Sequence, residues 1–217
     1  GSQVIQNKRV LVTGAAGMLG SQVLLSAPDG VQVIGTDLVD AAGVQEVGVD
    51  LADERQVFEL FERVGEISGV IHTAAYTAVD LAEEQEELAF RVNGTACGVL
   101  AAASKSAGVP QVLVGTDFVF DGEGGRAYSE EDEPNPISAY GRTKLAGERL
   151  ALEAHPDGTR IVRTQWLYGP RGKHFPGTML GLAKERKQLK VVDDQTGSPT
   201  SSLELAPALW DVLELGE

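Results

Sequence analysis

Two side chains in the second half of the chain have the types and spacing for acid–base chemistry at a carbonyl group. Tyr140 and Lys144 lie four residues apart within residues 138–154, a predicted helix, and therefore share one helix face. A phenol with its unperturbed pKa of about 10 is a poor catalyst at neutral pH, and a neighbouring cation such as Lys144 lowers that pKa. Because the same pair also occurs on inactive surface helices, the spacing alone does not establish catalysis.

Thr116 favours the catalytic interpretation because it follows a predicted strand, residues 111–115. Open parallel sheets bind ligands at the carboxyl ends of their strands. A hydroxyl at that position can hydrogen-bond the same carbonyl oxygen that Tyr140 protonates. We therefore predict that Thr116, Tyr140 and Lys144 converge on one oxygen atom.

A glycine-rich loop near the start of the chain has the spacing of a dinucleotide-binding turn. Gly14, Gly17 and Gly20 follow the predicted strand Lys8–Thr13 and lead into a helix predicted to reach Ala27. Such a loop lets the backbone approach a pyrophosphate while the N–H groups of the helix N-terminus point at the anion. A plain tight turn is the alternative, and the position between strand and helix favours nucleotide binding.

Acidic residues after the second and third predicted strands indicate which dinucleotide is bound. Asp37 can hydrogen-bond both ribose hydroxyls and would repel a 2′-phosphate. Since Leu38 and Val39 supply no arginine for such a phosphate, NAD(H) is the predicted cofactor, with NADP(H) left open. A strand-end cap is the alternative role for Asp37. Asp50 and Leu51 are weaker candidates for contact with the adenine.

Strands and helices alternate along the chain with the spacing of right-handed βαβ units. This pattern predicts a doubly wound α/β fold of the Rossmann type, a parallel sheet with helices on both faces. A capping box formed by Asp53 and Gln56 marks the start of one helix. The predicted strands are Lys8–Thr13, 31–36, 45–49, Gly69–His72, 111–115 and 160–163, and the predicted helices include 80–107, with an apolar face that begins at Leu88, and 138–154.

The composition is that of a globular protein with an acidic surface. Of the 217 residues, 42% are hydrophobic and 23% charged, with a formal net charge of −14. This charge argues against nucleic acid as a partner, because a phosphate backbone would be repelled. The longest uncharged stretch, 10–28, contains too many polar residues and glycines to cross a membrane. The lone Cys97 and a start without a signal-peptide pattern make a cytoplasmic location the expectation.

Seven motifs, in order along nearly the whole chain, resemble those of the extended short-chain dehydrogenases/reductases, and among them the dTDP-4-dehydrorhamnose reductase family. The resemblance implies an oxidoreductase that uses NAD(P)H to reduce the 4-keto group of a nucleotide-linked 6-deoxy sugar in dTDP-rhamnose biosynthesis. The motifs are TGAAGMLG (13–20), AAYTAVD (74–80), VN (92–93), TDFVFDG (116–122), YGRTKLAGE (140–148), RTQWLYG (163–169) and DQTGSPT (194–200).

The resemblance also implies a role for each matching residue. Tyr140 would donate a proton to the C4 oxygen, Lys144 would hold the nicotinamide ribose and lower the phenol pKa, and Thr116 would orient the carbonyl. Asn93 would be tied to the active-site water and the lysine. The residues expected at the cofactor are Gly14, Gly17, Met18, Leu19, Asp37, Asp50, Leu51, Ala74, Ala75, Tyr76, Asn93, Tyr140 and Lys144, and those expected at the sugar or nucleotide are Tyr76, Thr116, Phe118 and Trp166, with core packing as the alternative for the three aromatic residues.

Three positions depart from the family pattern. Gly115 stands where the family usually has Ser, Phe118 where it has Tyr, and His72 where it often has Asn. The Gly115 change is expected to affect packing, and together the three leave the exact sugar open. His72 is predicted to be a core or strand-end histidine, since no second metal-type ligand lies nearby in the sequence, and no metal is predicted.

Two other functions stay open from the sequence. One is a catalytically silent binding protein of the same fold, similar to the regulatory subunit of methionine adenosyltransferase. The other is a sugar-nucleotide epimerase or dehydratase, although dehydratases usually carry Asp-Glu after the Thr and here Phe118 follows Asp117. A homodimer is also left open.

The length of the chain suggests a complete cofactor half and an incomplete substrate half. Family members continue for several dozen residues beyond the last motif. We therefore expect a dinucleotide-binding domain over residues 3–165 and a small, incomplete substrate-binding lobe over 166–217.

Positive charge is concentrated in one segment of this acidic protein. Between Arg160 and Lys190 there are eight basic residues and one acid. Arg171 and Lys173 are the candidates for contact with the diphosphate of a nucleotide sugar. The four basic residues of 184–190 are predicted to be the polar face of a helix.

Overall fold

Six parallel strands form the centre of the structure, a computed structural model that describes residues 7–215. The strands are β1 (Lys8–Thr13), β2 (Val31–Asp37), β3 (Val44–Val47), β4 (Gly69–His72), β5 (Gln111–Thr116) and β6 (Thr159–Thr164). Their spatial order is β3-β2-β1-β4-β5-β6, with every pair parallel. This order is that of the Rossmann fold and confirms the predicted doubly wound architecture.

The central strand β1 marks the place where a ligand can bind. Val12 is in register with Gly35 of β2 on one side and with Ile71 of β4 on the other. The chain builds the sheet outward from β1 in one direction and then returns to build it in the other. The loops after Thr13 and His72 therefore separate, and they leave a crevice at the carboxyl ends of these strands.

Eight helices and a second, two-stranded sheet surround these strands within residues 7–215. The helices are α1 (Met18–Leu25), α2 (Glu54–Val64), α3 (Val79–Ala82), α4 (Glu86–Phe90), α5 (Ala96–Ser106), α6 (Ala139–Ala154), α7 (Phe175–Glu185) and α8 (Ser202–Leu213), and the small sheet pairs β7 (Leu167–Tyr168) with β8 (Thr200–Ser201). No helix of the described chain has the length and apolar character that a membrane span requires.

Alternation along the strands distributes the core between the two faces of the sheet. Val10 and Val12 of β1 belong to one apolar cluster with α1 and α8. Leu11, between them, belongs to a second cluster with Leu60 of α2 and Leu100 of α5. Successive strand side chains point to opposite faces, so a run of three apolar residues serves both helix layers.

The helix predicted over 80–107 is interrupted, and this part of the prediction is wrong. The chain forms α3 and α4 as separate short helices, then a π-helical turn over Arg91–Thr95, and only then α5. Glu83 accepts a hydrogen bond from the backbone N–H of Ala139, and Glu86 pairs with Arg142, so the break turns these carboxylates toward α6. Leu88, expected on the buried face, is 47% exposed.

The capping residues predicted for α2 are confirmed. Asp53 accepts a hydrogen bond from the backbone N–H of Gln56, while the Gln56 side chain accepts one from the backbone of Asp50.

The prediction that the basic residues of 184–190 form one face of a helix is wrong for all but the first of them. Because α7 ends at Glu185, the last three basic residues of that segment lie outside the helix.

The last helix belongs to the core of the six-stranded sheet, although the sequence placed it in the substrate lobe. Leu205, Leu209 and Leu213 of α8 are buried in the cluster that includes Val10 and Val23. The expected division at 165/166 therefore does not separate α8 from the core. By contrast, no residue of α7 is buried. Residues 3–6 and 216–217 of the predicted domains lie outside the described residues.

Candidate active site

A cavity of about 670 Å³ lies at the carboxyl ends of the central strands and brings together most of the predicted site residues. Its wall is formed by the loop between β1 and α1, the loop after β4, the start of α6 and the loop after β6. Tyr76, Asn93 and Arg171 do not line this cavity, whereas all the other predicted site residues do.

The glycine loop has a backbone shape that only glycine allows. Gly14 has a φ of +65°, and a Cβ there would lie 2.7 Å from the backbone nitrogen of Ala74. A Cβ on Gly20 would lie 1.9 Å from the carbonyl oxygen of Gly14. Side chains at either position would collide with main chain, so these glycines let Ala74 and Ala75 close one wall of the cavity.

The N-terminus of α1 is suited to an anion. Its N-cap is Gly17, which supplies no side chain to cap the first turn. Met18 and Leu19 line the cavity, so the first N–H groups of α1 are available to an anion in it. Hydrogen-bond donors and the positive end of the helix dipole fit the pyrophosphate of a dinucleotide.

Two acidic residues of the cavity wall, Asp37 and Asp50, already bond to other groups of the protein. Asp37 accepts hydrogen bonds from the backbone of Ala16 at 3.0 Å and of Val39 at 3.2 Å. Asp50 pairs with Arg91 at 2.5 Å. Asp37 thus serves as a strand-end cap and still lies on the cavity wall beside Leu38, while Asp50 and Leu51 line the same end.

The predicted catalytic side chains Tyr140 and Thr116 lie at the other end of the cavity. The Tyr140 ring packs edge-on against Phe118, with 5.4 Å between ring centroids. Burial raises the pKa of the Tyr140 phenol, and interaction with the Thr116 hydroxyl opposes that shift. The Thr116 oxygen also accepts a hydrogen bond from the backbone of Phe118. The phenol is therefore protonated at neutral pH and can donate a proton.

Lys144 is buried beneath this pair and bonds to the sheet. Its ammonium group donates a hydrogen bond to the carbonyl oxygen of Val114 at 2.8 Å. Burial lowers the pKa of Lys144, while Cys97 and Glu148 raise it. The sequence led us to expect that Lys144 lowers the Tyr140 pKa, but burial dominates and the pKa of the phenol is raised.

The Asn93 side chain bonds to Tyr76 and Thr143, and not to Lys144 as the family resemblance led us to expect. In the π-helical turn its side-chain oxygen accepts a hydrogen bond from the backbone of Tyr76, and its nitrogen donates to Tyr76 and to Thr143. The Tyr76 hydroxyl donates to Gln85. Asn93 and Tyr76 therefore tie the loop after β4 to α6.

His72 is a core histidine, as predicted. It is 2% exposed, and its Nδ1 lies 2.5 Å from the Thr13 hydroxyl. Its Nε2 lies 3.5 Å from the sulfur of Cys97. Burial lowers the pKa of His72 to about 3, so the ring is neutral. Within residues 7–215 no three His, Cys, Asp or Glu side chains are grouped to hold a metal ion.

The departure at Gly115 is a packing change, as expected. A Cβ there would lie 2.7 Å from the Glu148 carboxylate and 3.0 Å from the Arg163 side chain. Glu148 is 2% exposed and pairs with Arg163 at 2.7 Å. Arg163, counted in the basic segment, thus neutralises a buried carboxylate.

The loop after β6 closes the cavity and contains residues that sequence reasoning missed. Trp166 and Lys173 line the cavity, while Arg171 is exposed outside it. Gly172, which was not predicted, also lines the cavity, and a Cβ there would lie 3.2 Å from Met18. Asp117 and Thr73 line the cavity and were missed as well, although each directly follows a strand, β5 and β4 respectively.

Comparison with known proteins gives a consistent result. The family model for the RmlD substrate binding domain matches residues 8–216. A curated relative, the dTDP-4-dehydrorhamnose reductase of Streptomyces griseus, is 40% identical over 204 residues, which are 93% of this chain and 64% of that protein. The chain thus spans less than two thirds of the length of this relative.

Solved structures agree with the sequence relatives. A dTDP-4-dehydrorhamnose reductase from Clostridium acetobutylicum is 42% identical with a TM-score of 0.87, covering 95% of this chain and 70% of that one. The Bacillus anthracis reductase in complex with NADP is 35% identical with a TM-score of 0.88, covering 98% and 72% of the two chains.

Proposed function

Because the chain belongs to the family of the RmlD substrate binding domain, we propose that it reduces the 4-keto group of a dTDP-linked 6-deoxy sugar. The relatives named dTDP-4-dehydrorhamnose reductase support this substrate class. The observation that carries the proposal is that Thr116, Tyr140 and Lys144 line the same cavity as a glycine loop and a helix N-terminus without a side-chain cap.

We also propose a nicotinamide dinucleotide as the cofactor, with NAD(H) preferred. The first turn of α1 would bind the pyrophosphate, and Asp37 would bind the adenosine ribose. The Bacillus anthracis relative binds NADP. In this chain the two residues after Asp37 are Leu38 and Val39, so no arginine is placed to bind a 2′-phosphate. Together with the Asp37 carboxylate, this supports a preference for NAD(H) over NADP(H). A cytoplasmic location and a homodimer stay predictions.

The residues of the cavity orient the carbonyl group and supply the proton of the reduction. The Thr116 hydroxyl and the Tyr140 phenol hydrogen-bond the substrate carbonyl oxygen. As the carbonyl carbon is reduced, negative charge develops on this oxygen, and Tyr140 donates its proton to give the alcohol. The reduced nicotinamide supplies the hydride when bound.

Lys144 and the apolar wall prepare the site for this step. The Lys144 ammonium, held by its hydrogen bond to Val114, would bind the ribose of the nicotinamide and so orient the cofactor beside Tyr140. Phe118 and Trp166 flank the sugar or the nucleotide of the substrate and exclude water, and Lys173 is placed to bind a phosphate of the substrate.

The decisive experiment mixes the protein with NADH and dTDP-4-dehydrorhamnose and follows the absorbance of the reduced nicotinamide. We expect the wild type to oxidise NADH, and Tyr140→Phe to lower kcat by about 10²–10⁴-fold, because it removes the proton donor without changing the ring.

Tyr128→Phe is the matched control, since the Tyr128 hydroxyl donates to Asp121 outside the cavity. Equal rates in the wild type and Tyr140→Phe would remove Tyr140 as the donor. A wild type that binds NADH but oxidises none with this substrate would reject the reductase assignment.

A further inference from the structure

Gln165 joins three parts of the chain that meet at the substrate end of the cavity. Its side-chain oxygen accepts a hydrogen bond from the backbone N–H of Ser198 at 2.6 Å. Burial raises the pKa of the Asp117 carboxyl group, and a hydrogen bond with Gln165 lowers it. Asp117 follows β5, Gln165 follows β6 and Ser198 precedes β8, so one side chain links three loops.

Gly197 allows the segment before β8 to lie directly on the Gln165 amide. A Cβ on Gly197 would be 2.5 Å from Nε2 of Gln165. A side chain at this position would displace the Gln165 amide, so glycine preserves the contact. The fit on Gly197 and the hydrogen bond to Ser198 both fix the position of the Gln165 side chain.

Trp166, the next residue, has a backbone conformation that needs such support. Its φ is +47°, in the left-handed region that residues with bulky side chains rarely adopt. Strained conformations persist only where neighbouring contacts hold them. The Trp166 carbonyl accepts a hydrogen bond from Thr200, and Leu167 pairs with Thr200 in the small sheet. Gln165 supplies the corresponding restraint on the other side of Trp166.

The side chain held in this way is part of the cavity wall. Trp166 lines the cavity and is 42% exposed, whereas Gln165 does not line it. Asp117, the other partner of Gln165, lines the cavity next to Thr116. Gln165 can therefore affect the ligand only through the residues that it holds.

We propose that Gln165 is a positioning residue that fixes Trp166 and Asp117 at the substrate end of the cavity and so sets the affinity for the nucleotide sugar. The proposal rests on the proposed function for its choice of ligand. Gln165 does not touch the reacting atoms, so its loss raises KM for the sugar nucleotide and leaves kcat nearly unchanged.

The test uses Gln165→Met, which keeps the length of the side chain and removes both hydrogen bonds. We expect amide hydrogen exchange at Ser198 and Thr200 to become at least about tenfold faster, and KM for dTDP-4-dehydrorhamnose to rise about tenfold, as for one lost hydrogen bond. kcat stays within about twofold, and the Kd of NADH is unchanged. Gly197→Ala, which displaces the amide from the other side, has the same effects.

Gln111→Met is the matched control. Gln111 also makes a side-chain hydrogen bond, to Thr159, but at the amino end of the sheet, away from the cavity. We expect Gln111→Met to leave amide hydrogen exchange at Ser198 and KM for the sugar nucleotide unchanged. Unchanged exchange in Gln165→Met overturns the proposal, and so does faster exchange with an unchanged KM.

Binding of dTDP separates this proposal from the proposed function. If the wild type binds dTDP but reduces no dTDP-linked 4-keto sugar, the proposed function fails. The Kd of dTDP, measured by calorimetry in the same variants, then decides the role of Gln165. A Kd that rises about tenfold in Gln165→Met supports it. An unchanged Kd, or a wild type that does not bind dTDP, overturns it.

Discussion

At the scale of single residues, Asp37 combines a structural and a proposed binding role. Its two carboxylate oxygens accept hydrogen bonds from Ala16 in the glycine loop and from Val39 after β2. These contacts hold the carboxylate at the cavity wall, where it can accept hydrogen bonds from a ribose. The same negative charge would repel a phosphate on that ribose.

Side-by-side kinetics with NADH and NADPH test this role. We expect kcat/KM of the wild type to be at least about tenfold higher with NADH, a difference of about 1.4 kcal/mol. Asp37→Asn keeps one acceptor oxygen and removes the charge. We expect it to lower the ratio of kcat/KM with NADH to kcat/KM with NADPH. Asp50→Asn is the control, and we expect it to change kcat/KM by the same factor with NADH and with NADPH. A wild type that prefers NADPH would contradict the assignment of Asp37.

At the scale of elements, α6 determines the geometry of the catalytic pair. The helix begins after Ser138, whose hydroxyl accepts a hydrogen bond from the backbone N–H of Gly141. A Cβ on Gly141 would lie 2.2 Å from the carbonyl oxygen of Phe118, so the first turn packs directly against the loop after β5. Capping and close packing together place Tyr140 beside Thr116.

Removal of the cap should therefore weaken the protein. We expect Ser138→Ala to lower the free energy of unfolding by about 1 kcal/mol, because a first-turn N–H loses its partner. Ser138→Asp keeps an acceptor and retains the stability. Urea denaturation measures both, with the exposed Ser106→Ala at the end of α5 as the control. If Ser138→Ala and Ser106→Ala have equal stability, the cap contributes nothing.

At the scale of the whole molecule, α8 closes one face of the sheet with residues from the end of the chain. Leu209 and Leu213 are fully buried against strands from the first half of the sequence. The indole nitrogen of Trp210 donates to the carbonyl oxygen of Val23 in α1. The core on this face of the sheet therefore depends on α8.

Truncation of one α8 side chain tests this dependence. Leu209→Ala should lower the free energy of unfolding by about 3 kcal/mol, through lost burial and the cavity that remains. Leu203, on the same helix, is 52% exposed, and Leu203→Ala should change stability by less than about 0.5 kcal/mol. Chemical denaturation compares the two. Equal effects would show that α8 does not contribute to the core.

The sequence by itself determined the features that depend on near neighbours. The turn at Gly14, the cap at Asp53 and the alternation of Val10, Leu11 and Val12 each follow from interactions within a few residues. These local rules predicted the strands, their parallel orientation and the ends at which site residues lie. They also placed Tyr140 and Lys144 on one helix face.

Only the tertiary structure decided what depends on distant segments. The predicted helix over 80–107 is broken where Glu83 and Glu86 bond to α6. Lys144 bonds to the carbonyl of Val114, and Gln165 bonds to Ser198. Each of these contacts joins residues that are 30 or more positions apart in the chain. Periodicity and capping act over a few residues, so they cannot specify which distant groups become neighbours.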